Sequence, residues 1–248
     1  IFLLVMLMRN VTFLEAVEVL KGLVGLDDAR CQFSKEEDDR LKIKRWLRKQ
    51  RALEKTKIQE IDESVLAQFD NKPCGFLLDR GFTPETIRLF DVRYADSGEM
   101  AGRVVVPVRD DEGRLVGLSG RLVTDDPEEL SRLGKWKHMF NFASGSVLFG
   151  LDKAKPYIAL NRSMVLTEGP FDVMKAFQYG LRNVCATFGV NILPEQIDLV
   201  IRYASEVYLA YDGDKRGREG AKRAYDKLNR YVDVKLMILS EGKDIADL

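Results

Sequence analysis

The chain has 248 residues, 46% of them apolar, which is enough to bury a large core in one domain or in two smaller ones. Its 39 basic and 39 acidic side chains balance, so overall charge gives no case for nucleic-acid binding. Three widely spaced cysteines and the single His138 exclude a disulfide framework, a zinc ribbon and a histidine-rich metal site, so a metal would need oxygen ligands, which predicts Mg²⁺ or Mn²⁺.

The first segment begins with the apolar run IFLLVMLM, residues 1–8. This run is too short to span a membrane and lacks a basic leader and a cleavage site, so we expect a cytoplasmic protein without membrane contact. A predicted strand is followed by a helix that begins near Asn10 or Thr12, with Glu15 placed for a capping box. Because this segment has little apolar surface to pack against, we expect residues 1–30 to be the tail of a domain that begins upstream.

Residues 31–61 predict a basic helical linker. Between residues 40 and 57, nine side chains are basic and only Glu54 is acidic. Such a stretch is typical of a surface that binds nucleic-acid phosphates, but a solvated helix face has the same composition. Both interpretations stay open.

Residues 62–155 predict a mixed α/β subdomain. Two short helices are expected, at residues 62–69 and 83–90, the second with Thr83 as its N-cap and proline at its first position. Two β-rich runs joined by DDEG, within residues 102–123, then indicate an antiparallel hairpin. Arg103 and Arg121 flank the hairpin, so strand pairing would bring them near each other, although two ordinary surface arginines would give the same pattern.

From residue 156 to 248 strands and helices alternate, which predicts a parallel sheet with crossover helices. The carboxyl ends of parallel strands share one edge of the sheet, so acids that follow three of these strands should converge. Those acids are Glu168, then Asp212 and Asp214, then Asp244 and Asp247. Repelling carboxylates suit a divalent cation between them, and the basic side chains that follow, Lys215 and Arg216 first, suit phosphates.

Several motifs resemble one known family. The stretches TEGPFDVMKAFQYG (167–180), ATFGV (186–190) and YDGDKRGREGAKRA (211–224) resemble the Toprim domain. Upstream, LLDRGFTPETIRLF, the hairpin and KWKHMFNFASGSVLFGLDKA resemble the first half of the RNA polymerase core of bacterial-type DNA primases, phage relatives included. The resemblance implies an α/β fold, with an α+β subdomain before a Toprim domain whose mainly parallel sheet is flanked by helices and which stops before a helical subdomain. Residues 1–25 resemble the end of the family's zinc-binding domain.

The resemblance also implies roles for individual residues. Glu168 would be the general acid/base or metal-linked carboxylate, with Asp172 as its companion and the other four acids as metal ligands. Gly169 and Gly189 would support this site, although the sequence from Phe188 to Val190 departs from the family's usual Leu-Gly-Thr. The residues expected to hold template or nucleotide phosphates are Arg80, Arg103, Arg121, Lys137 and Asn141, with Lys135 as the alternative to Lys137.

The function implied is template-directed synthesis of short RNA primers on single-stranded DNA during replication, by metal-dependent nucleotidyl transfer. Partners would be the DNA template, ribonucleoside triphosphates and the RNA–DNA hybrid, with a replicative helicase contacted outside this chain. Zinc would belong only to a domain absent from it. The alternatives are another Toprim phosphotransferase or nuclease, or a catalytically idle nucleic-acid-binding relative, and the presence of all five acids favours an enzyme.

Overall fold

The computed structural model describes residues 58–71 and 74–237, all within a compact unit that spans residues 42–248. The predicted upstream tail (1–30), most of the basic linker (31–61), and Asp244 and Asp247 lie outside the described residues. In the described ranges, no helix has the length and apolar character needed to cross a membrane.

The first half of the described chain contains a four-stranded antiparallel sheet in the order β1-β2-β3-β4. The strands β2 and β3 form the predicted hairpin, and the carboxylate of Asp110 closes its turn by accepting hydrogen bonds from the backbone N–H groups of Glu112 and Arg114. The four strands are β1 (Arg93–Ala95), β2 (Arg103–Arg109), β3 (Leu115–Leu122) and β4 (Trp136–His138).

Short helices surround this sheet. The second predicted helix begins as expected, because the Thr83 hydroxyl accepts a hydrogen bond from the N–H of Thr86 at 3.2 Å and Pro84 occupies the first helical position. The first predicted helix is a 3₁₀ helix, Glu63–Gln68. The α-helices here are α1 (Gly75–Asp79), α2 (Pro84–Leu89) and α3 (Pro127–Leu133), and further 3₁₀ turns are Gly98–Met100 and Ser144–Ser146.

The second half contains a four-stranded parallel sheet in the order β6-β5-β7-β8, which confirms the predicted fold class. The chain leaves β5 through α5 to reach β6 on one side, whereas it leaves β7 through α7 to reach β8 on the other side. The order of connection therefore reverses between β5 and β7, where parallel sheets bind their ligands. These elements are β5 (Ser163–Thr167), β6 (Val184–Ala186), β7 (Glu206–Leu209), β8 (Asp233–Leu236), α4 (Leu151–Asn161), α5 (Pro170–Gln178), α6 (Pro194–Tyr203) and α7 (Lys215–Leu228).

The expected subdomain boundary between residues 155 and 156 falls inside α4. The helix packs as a unit against β5 and β6, because its buried side chains Leu151, Ala154 and Ile158 lie on one face.

One hydrophobic core joins the two halves. Along β2, Val104 and Val106 face this large core together with Met164 and Leu166 of β5, whereas Val105 faces a smaller cluster on the opposite side of the antiparallel sheet. This alternation follows from the two-residue period of a strand. The shared core holds the antiparallel sheet in a defined position beside the edge of the parallel sheet.

Candidate active site

A cavity of about 790 Å³ lies where the carboxyl ends of the parallel strands face the antiparallel sheet. Its lining separates by chemistry into three groups, which come from both halves of the described chain. The acids are Glu168, Asp172, Asp212 and Asp214; the bases are Arg80, Arg121, Lys135, Lys175 and Arg216; the aromatic side chains are Phe82, Trp136, His138, Phe171 and Phe188.

The central acids lie at the point where the strand order reverses. Glu168 directly follows β5, and Asp212 follows β7 three residues after its last paired position, Leu209. The backbone N–H of Asp212 donates a hydrogen bond to Oε1 of Glu168 at 3.1 Å, so the two strand ends are joined at this site. Helix α7 packs so closely here that a Cβ on Gly217 would lie 2.2 Å from the Asp212 carbonyl oxygen and 2.8 Å from Oε1 of Glu168. Only glycine fits at this position without a shift of the backbone.

This environment raises the pKa of Glu168 to about 7. Burial is the main cause, repulsion from the Asp212 carboxylate adds to it, and the hydrogen bond from the Asp212 N–H opposes it. A nearby cation would stabilise the ionised form of this buried carboxyl group. Carboxylate oxygens are also the ligands that Mg²⁺ and Mn²⁺ prefer. The chemistry of the donor set therefore fits a divalent cation.

Three of the five expected metal ligands, Glu168, Asp212 and Asp214, lie in the described residues. Asp214 caps α7, since its Oδ1 accepts a hydrogen bond from the N–H of Gly217 at 2.6 Å. In residues 58–71 and 74–237, no three His, Cys, Asp or Glu side chains are grouped closely enough to enclose a metal ion by themselves. The last two expected ligands, Asp244 and Asp247, lie outside the described ranges.

The supporting residues Asp172, Gly169 and Gly189 hold the loops on either side of Glu168. The nearly buried Asp172 accepts a hydrogen bond from the N–H of Gly169 at 2.8 Å, so its carboxylate satisfies the backbone donor of the N-cap residue at the start of α5. The N–H of Gly189 donates to the carbonyl oxygen of Glu168 at 2.9 Å. The companion role expected for Asp172 is therefore accompanied by a structural one.

Two arginines form the basic wall opposite the acids. Arg121 is only 1% exposed, and its guanidinium donates to the carbonyl oxygens of Leu122 and, at 3.0 Å, Thr124. Arg80 and Arg121 each lie 5.4 Å from the centroid of the Phe76 ring. Burial lowers the pKa of Arg121, and the nearby charge of Asp125 opposes this effect.

Arg103, which the sequence predicts to hold a phosphate, does not line the cavity. In the hairpin Arg103 pairs with Leu122, and Arg121 pairs with Val104, so the two arginines project from opposite faces of the sheet. The guanidinium of Arg103 is buried and donates to the carbonyl oxygens of Gly120, Leu133, Gly134 and Lys135 at 2.6–3.4 Å. The strand pairing that brings the two backbones together is thus also what separates the two side chains.

Of the two candidate lysines, Lys135 lines the cavity, whereas Lys137 forms an ion pair with Glu99 at 3.4 Å outside its lining. Asn141 adopts a left-handed backbone (φ +62°) after β4 and does not line the cavity. At the start of α7, Arg216 lines the cavity and the exposed Lys215 does not.

Comparisons with known proteins relate the chain to one family. Residues 165–248 match the family model described as Toprim-like. The DNA primase of Aquifex aeolicus is 31% identical over 215 residues, which cover 73% of this chain and 42% of that protein. The crystal structure of the zinc-binding and RNA polymerase domains of the Aquifex aeolicus primase aligns with a TM-score of 0.63 at 26% identity, over 99% of this chain and 66% of that one.

The chain belongs to the bacterial-type DNA primase family. It spans about two fifths of the length of the Aquifex primase that it matches. A DnaG primase catalytic domain solved with bound single-stranded DNA has the same fold, with a TM-score of 0.65 at 24% identity, over 75% of this chain and 72% of that domain.

The connection between α5 and the loop that carries Arg80 was not predicted from the sequence. The buried Lys175 donates from Nζ to the carbonyl oxygens of Arg80 and Gly81, both at 2.9 Å. One turn later, Gln178 donates to the Gly81 carbonyl and accepts from the N–H of Thr83, again at 2.9 Å. The available signal was a lysine and a glutamine three residues apart on a helix whose only other polar residue is Asp172.

The aromatic part of the lining was also missed. Phe188 has a left-handed backbone (φ +62°), which bulky side chains rarely adopt. Its ring contacts those of His138 and Phe142 edge to face, with centroids 5.5 and 5.7 Å apart. Burial lowers the pKa of His138, which favours the neutral imidazole, and its ring belongs to this aromatic cluster. In the sequence these rings are dispersed, so no local pattern marks them.

Proposed function

We propose that this chain carries the nucleotidyl-transfer centre of a DNA primase, which joins ribonucleotides on a single-stranded DNA template. The observation that carries the proposal is one cavity with carboxylates at the reversal of strand order on one side and the buried Arg121, with Arg80, on the other. Transfer of a nucleotide needs both sides, because acids alone would repel a triphosphate.

The acids would hold Mg²⁺ or Mn²⁺ through Glu168, Asp212 and Asp214, with Asp244 and Asp247 as the further ligands implied by the family. When bound, such ions neutralise phosphate charge and activate a hydroxyl nucleophile. Oε1 of Glu168 accepts from the N–H of Asp212, so Oε2 is the atom suited to contact a cation or to take a proton from the primer's 3′-hydroxyl.

The bases would bind the phosphates of the incoming ribonucleoside triphosphate and of the template strand. Arg121 is well suited to this role, because its carbonyl contacts hold the guanidinium in place before any ligand arrives. Lys135 and Arg216 add charge at the rim, and the aromatic side chains offer faces on which bases of the template or the RNA–DNA hybrid can stack.

The test is a template-dependent primer-synthesis assay with labelled ribonucleotides. Glu168→Gln, and Asp212→Asn together with Asp214→Asn, should abolish incorporation while circular dichroism shows an intact fold. The matched control is Glu219→Gln, an exposed acid on α7 with the same change of charge, which should retain activity. Incorporation by a folded Glu168→Gln protein would overturn the proposal, and cleavage of labelled DNA without incorporation would indicate a Toprim nuclease instead.

A further inference from the structure

A carboxylate beside the cavity lining contacts both arginines of the basic wall. Asp125 accepts a hydrogen bond from Nη2 of Arg121 at 2.8 Å through Oδ1. It also accepts from Nη1 of Arg80, at 3.0 Å through Oδ2 and 3.2 Å through Oδ1. Two carboxylate oxygens that bridge two guanidinium groups reproduce the contacts that a phosphate group makes between paired arginines.

Asp125 is not needed to hold Arg121 in place. The guanidinium of Arg121 also donates to the carbonyl oxygens of Leu122 and Thr124, and it lies against the Phe76 ring. The Arg121 side chain is 2% exposed, whereas that of Asp125 is 62% exposed. The carboxylate can therefore move into water at little cost while the arginine stays where it is.

We propose that Asp125 is an internal counter-anion, which occupies the phosphate subsite between Arg80 and Arg121 and is displaced when a polyanionic ligand binds. With Asp125 in place, the three side chains carry one net positive charge; when it leaves, the two arginines offer two. Asp125 thereby lowers the affinity of the cavity for phosphate and favours ligands with several linked phosphates, which bring enough charge to displace it. The inference rests on the proposed function in taking phosphate as the ligand of these arginines.

The probe is inorganic tripolyphosphate, titrated calorimetrically into the whole chain in the presence of EDTA. Asp125→Asn keeps the size of the side chain and removes its charge, so it should bind about three- to tenfold more tightly than wild type, the effect of losing one or two exposed ion pairs. The affinity should also depend more steeply on salt, because the free site carries one more net positive charge.

The matched control is Asp126→Asn, which makes the same change of charge at the next residue. The Asp126 carboxylate caps α3 by accepting from the N–H groups of Glu128 and Glu129, and asparagine caps a helix equally well. This variant should bind tripolyphosphate within about twofold of wild type, since its charge is not shared with the arginines. An equal gain in both variants would reduce the effect to overall charge and overturn the inference.

A double variant locates the effect. If Asp125 acts through Arg80, most of the gain should vanish when Asp125→Asn is combined with Arg80→Gln. Weaker or unchanged binding by Asp125→Asn alone would show that the carboxylate positions the arginines, and would overturn the inference. The outcome is separable from that of the proposed function, because tripolyphosphate binding needs no primer synthesis: a chain that makes no primers can still show the gain, and an active chain can still lack it.

Discussion

Replacement of Glu168 by glutamine should stabilise the metal-free protein at alkaline pH, even though it removes a functional side chain. A carboxyl group whose pKa is higher in the folded than in the unfolded state binds a proton more tightly when folded, so the stability of the wild type falls as pH rises from about 4.5 to about 7. Glutamine keeps the Oε1 acceptor for the N–H of Asp212 and cannot ionise, so the variant escapes this loss.

The structure sets the size of the effect. A rise in the pKa of Glu168 from 4.5 to about 7 corresponds to at most about 3 kcal/mol, at about 1.4 kcal/mol per pH unit. Since water still reaches part of this side chain, we expect about 1–2 kcal/mol of added stability at pH 8 and almost none at pH 4.5, where the wild-type carboxyl is protonated.

Urea unfolding at pH 4.5 and pH 8 in EDTA measures this difference, with Glu219→Gln as the exposed control that should show no comparable pH-dependent gain. Adding Mg²⁺ at pH 8 should reverse the order, because the wild type gains stability from a bound cation and the variant loses a ligand for it. A Glu168→Gln protein that is equal to or less stable than wild type at pH 8 in EDTA would refute the argument that burial and repulsion strain this carboxylate.

Two further predictions follow from the packing around the site. Gly217→Ala should destabilise the fold by about 2 kcal/mol or more and weaken divalent-cation binding, because the added Cβ would meet the Asp212 carbonyl oxygen. The control is Gly75→Ala, which has nothing within 4 Å of the added Cβ and should be neutral or stabilising in urea unfolding. Equal effects of the two substitutions would contradict the close approach of α7. Arg103→Ala should cost about 2–4 kcal/mol of stability, because it leaves buried carbonyl groups unpaired, but it should change the salt dependence of single-stranded DNA binding little. Arg121→Ala should instead reduce the slope of log affinity against log salt by about one in a fluorescence-anisotropy titration. The reverse pattern would show that Arg103, and not Arg121, contacts the DNA.

The sequence alone determined the features that depend on local patterns. The alternation of apolar strands with amphipathic helices is sufficient to predict the parallel sheet, and with it the placement of Glu168, Asp212 and Asp214 at one edge. Features that depend on residues close in the chain could also be predicted, such as the helix start at Thr83 and Pro84 and the DDEG turn of the hairpin. These features follow from side-chain periodicity and from backbone geometry over a few residues.

The tertiary structure decided which of the basic residues reach the cavity and how strongly the acids there are buried. Arg103 and Arg121 look equivalent in sequence, but strand register buries one among carbonyl groups and directs the other into the cavity. The contacts of Arg80 with Asp125 and with Lys175 join residues 45 and 95 positions apart. Desolvation depends on such distant segments packing together, so neither the raised pKa of Glu168 nor the occupied subsite at Asp125 is visible until the chain has folded.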